Sequence, residues 1–372
     1  MSKKRLIGPS AWVFGGAGAI IGVVAAFLVS QGNPGNMGLC IACFLRDITG
    51  FFGGAKANMG AVAYIRPEIP GLVLGATATA LATKEFRPRG GSGVAYRFVL
   101  GFIFMMSALI FLGCTVRAWL RLGGGDLNAL WGVLGIIAGV AVGSIFLKRG
   151  FNLGRAGAIA KPIGWIAPVV FAILLVLAAV AAFGSTPAGF TVTAAKAVND
   201  LGKPLPGGLR APFAISLIAG LSLGVVAQRS RFCSVGGIRD AILVKRFDLL
   251  FGVLGLLIGA FVANLAFGQF NLGFEGQPIA HTDALGNFAA MAVAGLAAVM
   301  LGGCPFRQVI MSGEGDADAF VAVLGMVAGA LAAHWFGIAS SAKGLSTLGW
   351  PALGVMAVVL VAIALIKRER TA

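Results

Sequence analysis

Two stretches of the chain, residues 113–126 and 303–316, repeat one arrangement of thiol, guanidinium and carboxylate groups. "GCTVRAWLRLGGGD" and "GCPFRQVIMSGEGD" align without a gap. The shared polar residues are Cys114, Arg117 and Asp126 in the first stretch and Cys304, Arg307 and Asp316 in the second. A thiol beside a cation ionises more readily than a free thiol, and both groups can donate hydrogen bonds to an anion. The repeat therefore favours a functional role for these residues.

A second cysteine motif also occurs twice, each time within a short apolar segment. Its residues are Cys40, Arg46 and Asp47 in the first copy and Cys233, Arg239 and Asp240 in the second. The segments, 36–52 and 232–245, are too short to span a bilayer and too apolar for ordinary loops. We predict re-entrant half-helices, whose free N–H groups suit an anion; an amphipathic interfacial helix is the alternative.

Pro305 predicts where a further helix begins, in the stretch 303–316. Because proline favours the first helical position, Cys304 should be the N-cap, with its sulfur facing the N–H groups of residues 306 and 307. Thr115 replaces the proline in the first copy and gives Cys114 weaker support for the same geometry. A single apolar cysteine is usually a packing residue, but four at repeat-related positions favour function.

Cys43 completes a Cys-x-x-Cys sequence that has no second copy. The second half of the chain has Gly236 at the equivalent position, so a tetrahedral zinc site is not expected. Cys43 is predicted to be a packing residue or a spare thiol near the outer mouth. No metal or cofactor is expected, since the chain has two His residues and no recognisable nucleotide-binding motif.

The charged pairs of both motifs have a structural interpretation as well. The predicted salt bridges are Arg46–Asp47, Arg239–Asp240, Arg117–Asp126 and Arg307–Asp316. Charges at membrane depth are usually functional, but depth is not visible in the sequence. Both interpretations therefore remain open at this stage.

Composition places these motifs in a membrane protein. Of the 372 residues, 58% are hydrophobic and 11% are charged, against about 25% charged in a soluble domain. The fold class is an all-α polytopic membrane protein. We predict ten spans near 11–30, 65–83, 97–113, 128–147, 163–184, 211–228, 248–268, 285–302, 319–338 and 348–366. The net charge of +16 is assigned to cytoplasmic loops rather than to nucleic-acid binding.

Charge also predicts the topology. The basic loops 84–96, 148–161 and 229–247 should lie in the cytoplasm together with both termini, while 185–210 and the acidic loop 270–284 lie outside. Loop 304–318 is predicted inside although it carries three acidic residues. The first span is expected to be retained rather than cleaved as a signal peptide.

The repeated motifs divide the chain into two similar halves. Residues 1–150 form the first repeat, 151–210 a connecting span and external linker, 211–345 the second repeat, and 346–372 a final span and tail. Four spans plus one unmatched span make the second half enter the membrane from the opposite side. This is an inverted repeat, a common transporter plan with the substrate site between the halves.

Several strings resemble a known family. "GNPGNMGLCIACFLRD", "AQRSRFCSVGGIRD" and "GGCPFRQVIMSGEGD" are similar to the YedE branch of the YeeE/YedE sulfur-transport family, a branch associated with selenium transport. The resemblance implies an hourglass of membrane helices with short re-entrant helices. It also implies cysteines along the path, here Cys40, Cys114, Cys233 and Cys304, and a TusA-type sulfur carrier as a cytoplasmic partner.

These observations favour a non-enzymatic inner-membrane importer of a small selenium- or sulfur-containing anion. Cys40 and Cys114 would serve the outer mouth and Cys233 and Cys304 the inner one, with arginines offsetting the anionic charge. A covalent relay through persulfides ranks second. The rivals are a thiosulfate-specific importer, a membrane thiol enzyme that loads a carrier protein, and a non-transporting scaffold.

Overall fold

The protein is an α-helical bundle, seen in a computed structural model that describes residues 8, 10–53, 59–199 and 202–369. The helices are α1 (Ala11–Ser30), α2 (Ile41–Gly53), α3 (Glu68–Ala82), α4 (Val94–Phe111), α5 (Thr115–Gly123), α6 (Asn128–Lys148), α7 (Lys161–Phe183), α8 (Phe213–Ser230), α9 (Ser234–Leu243), α10 (Asp248–Ala266), α11 (Ala284–Leu301), α12 (Pro305–Gly313), α13 (Ala317–Trp335) and α14 (Gly349–Ile366). Strands β1 (Arg89–Gly90) and β2 (Gly157–Ala158) pair antiparallel.

Length and hydropathy make this bundle a membrane protein. Among the described residues, nine helical segments are long and apolar enough to cross a bilayer. One of the ten predicted spans, 65–83, corresponds to α3, a shorter apolar helix of 15 residues. Large apolar side chains such as Ile173 and Val176 point out of the bundle, as expected for helices that face lipid. The all-α polytopic class is confirmed.

Glycines spaced four apart allow the helices to approach closely. A β-carbon on Gly18 would overlap the backbone of Gly252, and one on Gly22 would overlap that of Leu256. Both contacts advance by four residues along α1 and α10, so these two helices run parallel. Small residues here contribute van der Waals contact in place of the hydrophobic effect, which does not hold helices together inside lipid.

Helices of the two halves pack in exchanged pairs. α1 packs on α10. The helix equivalent to α1 in the other half is α8 and the one equivalent to α10 is α3, and these two also pack on each other. In the same way α6 packs on α11, and α13 packs on α4. This reciprocal pattern is the contact pattern expected when two similar halves are related by a two-fold axis.

The equivalent helices α1 and α8 run in opposite directions. Leu28, near the end of α1, packs against Ala211 and Ala219 at the beginning of α8. The backbone N–H of Ala211 donates to the side chain of Asn33, which lies just beyond α1. α8 therefore begins where α1 ends, as an inverted repeat requires. The repeat boundaries at 1–150 and 211–345 remain a prediction.

The connecting segments gather on two opposite faces. On the face that we call the basic face, β1 pairs with β2, Arg89 bonds Asp316, and Arg231 bonds Glu85. On the other, which we call the linker face, Thr193 bonds the backbone of Gly60, and Leu127 bonds that of Gly273. The segments predicted to be cytoplasmic thus share one face. Lys3, Lys4 and Arg5, which carry the argument for the N-terminus, lie outside the described residues.

Which face is cytoplasmic can be tested by labelling. A cysteine at Ala195 should react with a charged, membrane-impermeant maleimide added outside cells, and one at Val244 only after the cytoplasm is opened. Both positions are exposed, whereas the native thiols are 0–7% exposed and the unmodified protein supplies the blank. Labelling of both cysteines from one side would contradict the proposed topology.

Candidate functional site

Each of four cysteines stands directly before a short helix. Cys40 precedes α2, Cys114 precedes α5, Cys233 precedes α9 and Cys304 precedes α12. These helices have 9 to 13 residues and begin in the protein interior. α2 and α5 lead towards the linker face, whereas α9 and α12 lead towards the basic face. Free N–H groups at such helix ends provide partial positive charge that favours an anion.

One pair of thiols, which we call the linker-side pair, consists of Cys40 and Cys114. Their sulfur atoms lie 3.8 Å apart, and both side chains are fully buried. The Cys40 sulfur also accepts a hydrogen bond from the backbone N–H of Cys43, at 3.4 Å. The sequence placed these two cysteines on the same side, and the structure brings them into contact.

The basic-side pair consists of Cys233 and Cys304. The Cys233 sulfur accepts hydrogen bonds from the backbone N–H of Cys304, at 3.3 Å, and of Gly236, at 3.2 Å. Cys304 is fully buried and Cys233 is 7% exposed. Two residues separated by 71 positions in the chain thus meet because α9 and α12 begin at the same place.

The two thiol pairs are connected through hydroxyl groups. Ser234, the first residue of α9, donates a hydrogen bond of 2.9 Å to Thr115, the first residue of α5. Sequence reasoning missed this contact and treated Thr115 only as a substitute for proline. The four cysteines therefore belong to one cluster, and all four are closed to solvent in this conformation.

Cap geometry agrees with the sequence at Cys304 and corrects it at Cys114. Cys304 is the N-cap of α12, as Pro305 predicts. Cys114 has the same extended N-cap backbone, so Thr115 does not weaken that geometry. The Cys304 sulfur accepts no capping hydrogen bond of standard geometry, but it interacts with the backbone N–H of Arg307, one of the two groups that the sequence predicts it to face. Capping hydrogen bonds of standard geometry go instead to the sulfurs of Cys40 and Cys233.

Arg117 lies beside Cys43, which is about one turn of α2 beyond Cys40 of the linker-side pair. Its guanidinium lies 3.3 Å from the sulfur of Cys43 and donates to the backbone carbonyls of Asn36, Leu112 and Ile279. Leu112 follows the end of α4, whose unpaired carbonyls need donors. The predicted Arg117–Asp126 salt bridge is wrong, because Arg121 occupies Asp126. Cys43 is fully buried beside the linker-side pair rather than near a mouth.

The carboxylate of Asp126 is held by residues of the linker face. Arg121, which sequence reasoning overlooked, donates to it at 2.6 Å, and both side chains are fully buried. Asp126 also accepts hydrogen bonds from the backbone and side chain of Asn128, at the start of α6. Its role in this arrangement is to cap α6 and neutralise Arg121.

Arg46 and Asp47 form the predicted pair, but with a third member. Arg46 donates to Asp47 at 2.6 Å, and Arg66 donates to the other carboxylate oxygen at 2.8 Å. Asp47 and Arg66 are fully buried, and Arg66 also bonds the carbonyl of Leu209. Arg66 lies two residues before α3, at the start of the predicted span 65–83. The equivalent Arg239–Asp240 pair also forms, yet both of its side chains are 28% exposed.

Arg307 does not pair with Asp316, so that prediction is wrong. Arg307 binds both carboxylate oxygens of Glu314, at 2.9 and 3.2 Å. Glu314 also bonds Arg231 at 3.0 Å and lies 3.7 Å from Arg89. Three arginines thus surround one buried carboxylate, which explains why an acidic segment belongs to a basic face.

The remaining acidic residues of this face are neutralised in the same way. Asp316 caps α13 through the backbone N–H of Ala319 and bonds Arg89 at 2.7 Å. Residues 304–318, which the predicted topology counts as one cytoplasmic connection, contain the helix α12 whose start Pro305 predicts. On the same face, the pKa of the Glu85 carboxyl is lowered by a hydrogen bond from Gln228 and by the positive charge of the nearby Arg231.

Fold and site together define a class: a multi-pass α-helical membrane protein with a buried thiol cluster between two similar halves. Residues 229–370 match a family model described as sulphur transport. A region of 108 residues, 29% of this chain, is 32% identical to the thiosulfate transporter TsuA of Escherichia coli (strain K12). That alignment spans 30% of the length of TsuA. The family match contains Cys233 and Cys304, the basic-side pair.

Proposed function

We propose that this protein belongs to the sulphur-transport family and imports a small sulfur- or selenium-containing anion. The observation that carries the proposal is the cluster of four buried cysteines at the beginnings of four short helices. Two buried thiol pairs, one from each half of the chain, have no role in a simple scaffold. The partial match to the family model and the identity with a thiosulfate transporter support the same conclusion.

The chemistry of the cluster suits an anion that is passed by hydrogen bonding. Thiols are weak S–H donors, and sulfur accepts weakly, so a sulfur-containing anion can bind them without being held strongly. Buried Arg117 bonds backbone carbonyls and Cys43 and forms no ion pair in the described part of the chain. Its positive charge would offset that of an anion beside Cys40 and Cys114.

Thiosulfate is the first substrate to test, because TsuA is named as a transporter of it. The resemblance to the YedE branch makes selenite the second. We further propose that the basic face is cytoplasmic, that the membrane is the inner one, and that a TusA-type carrier receives the sulfur there. A thiol enzyme that loads such a carrier differs in one outcome: it would release a modified product in detergent, without vesicles.

Uptake by proteoliposomes that contain only this chain tests the proposal. Labelled thiosulfate and labelled selenite should accumulate in these vesicles faster than in liposomes without protein. Uptake of one anion alone identifies the substrate. Equal entry of both labels into protein-free and protein-containing vesicles, with the protein folded, would refute an importer.

Arg307 gives a sharper test of the anion interpretation. Since Arg231 and Arg89 remain beside Glu314, Arg307→Gln should keep the fold and lower uptake by about ten- to a hundredfold, the equivalent of one hydrogen bond to a charged group. Arg307→Lys should retain part of the uptake, because lysine keeps the charge without the planar fork. Uptake rates and thermal unfolding in detergent are the measurements.

The matched control is Arg231→Gln, which also removes an arginine from Glu314 but from a 43% exposed side chain. It should leave uptake close to that of the unmodified protein. An equal loss of uptake in both variants, or a loss that follows the amount of folded protein, would assign Arg307 to the ion-pair network alone.

A further inference from the structure

Two hydroxyl groups lie where the two thiol pairs meet. Ser234 Oγ donates to Thr115 Oγ1 over 2.9 Å, and both side chains are fully buried. Thr115 directly follows Cys114 of the linker-side pair, and Ser234 directly follows Cys233 of the basic-side pair. The hydroxyl bridge thus joins the beginnings of α5 and α9, one helix from each half of the chain.

The position of these hydroxyls is selective. The residues that follow the other two cysteines are Ile41 and Pro305, which carry no side-chain donor. Hydroxyls therefore occur at the two helix starts that this bridge joins, and not at the starts of α2 and α12, although those two helices also contact each other across the halves. One turn beyond Thr115 on α5, the indole N–H of Trp119 is buried without a hydrogen-bond partner among the described residues.

An oxyanion between the two thiol pairs needs donors at this point. A charged group removed from water is unfavourable unless hydrogen bonds replace those of water. A hydroxyl supplies one donor and two acceptor sites and turns to suit its partner. Within the bridge Thr115 accepts, so its own O–H is not used by that bond and can donate to a third group.

We infer that Thr115 and Ser234 form the transfer point of the pathway, and that this point selects an oxyanion. They receive the anion from Cys40 and Cys114 and pass it to Cys233 and Cys304. Thr115 donates its free O–H to the oxygens of the anion, and Ser234 donates when its O–H turns from Thr115 to the anion. The inference rests on the proposed transport function and narrows its substrate class. An anion without oxygen, such as hydrosulfide, gains much less from these donors.

The transfer point is tested at each of its two residues with one substitution that removes the hydroxyl and one that keeps it. Thr115→Val and Ser234→Ala remove the hydroxyl, whereas Thr115→Ser and Ser234→Thr keep it. Labelled thiosulfate is added outside the proteoliposomes. The maximal uptake rate of the hydroxyl-free variants should be at least about tenfold lower than that of the unmodified protein, and the melting temperature should be unchanged. The hydroxyl-keeping variants should stay within about twofold of the unmodified protein. Ser107→Ala, which removes another fully buried hydroxyl on α4, is the control and should transport normally.

Each outcome has a distinct meaning. If Thr115→Val transports like the unmodified protein, or if Thr115→Val and Thr115→Ser lose the same amount, the bridge is only a packing contact and the inference fails. In either case the importer itself stands. If the unmodified protein moves neither thiosulfate nor selenite, the proposed function fails and the transfer point with it. Should Thr115→Val not fold, the Ser234 pair decides.

Discussion

Replacing Cys304 with alanine should reduce uptake to the level of liposomes without protein. Cys304 is fully buried beside Cys233, at the N-cap of α12. In a serial pathway each thiol has a step that no other group performs, so the loss of one stops the whole transport. Truncating one buried side chain by a single heavy atom costs about 1 kcal/mol of stability, which leaves most of the protein folded. Initial uptake rates and the melting temperature in detergent are the measurements.

The matched control lies on the same helix. Ser312→Ala removes one heavy atom from a fully buried side chain whose hydroxyl bonds only the carbonyl of Val309 among the described residues. It should transport normally. Normal uptake by folded Cys304→Ala would reduce Cys304 to a packing residue. Cys304→Ser should keep part of the activity, because a hydroxyl also donates a hydrogen bond.

Replacing Asp47 with asparagine should destabilise the protein by about 3–5 kcal/mol, the cost of breaking a buried ion pair. Asp47 is the shared partner of Arg46 and Arg66, and all three side chains are at most 5% exposed. Without the carboxylate, two buried guanidinium groups face each other uncompensated. We expect a low yield of folded protein and a large fall in the melting temperature.

The repeat itself provides the control for this experiment. Asp240 occupies the equivalent position in the second half, but it pairs only with Arg239 among the described residues, and both side chains are 28% exposed. Asp240→Asn should therefore cost only about 0–1 kcal/mol, the usual contribution of an exposed ion pair. Equal losses in the two variants would show that burial does not decide the strength of these pairs.

Asp47 and Asp240 also show which features a sequence motif predicts and which it does not. Both Cys-x5-Arg-Asp segments were recognisable in the sequence, and both form the expected adjacent ion pair. Their burial differs, and so do their partners: Arg66, which lies on another segment, reaches Asp47, whereas Asp240 has no second arginine among the described residues. A motif reports local spacing, whereas burial depends on the neighbours that the fold supplies.

Salt-bridge partners were the least predictable feature for the same reason. The sequence offered Arg117–Asp126 and Arg307–Asp316 because these residues recur in aligned motifs. The structure instead pairs Asp126 with Arg121 and Arg307 with Glu314. Arg121 and Glu314 each lie within one copy of the motif and have no counterpart of the same type in the other copy. Long, flexible side chains choose among several nearby carboxylates, and only the packed backbone decides which one is in reach.

The sequence by itself determined the class of fold, the presence of short helices within segments 36–52 and 232–245, the helix that begins after Cys304, and the grouping of basic segments on one face. Those features follow from apolar run length, helix-start signals and charge, which act over a few residues. Only the tertiary structure decided that the cysteines form two contacting pairs and that Thr115 meets Ser234 between them. These contacts join residues 71 to 119 positions apart. Each thiol contact joins two short helices of one half, whereas the hydroxyl contact joins the two halves, and such long-range contacts exist only once the helices have packed.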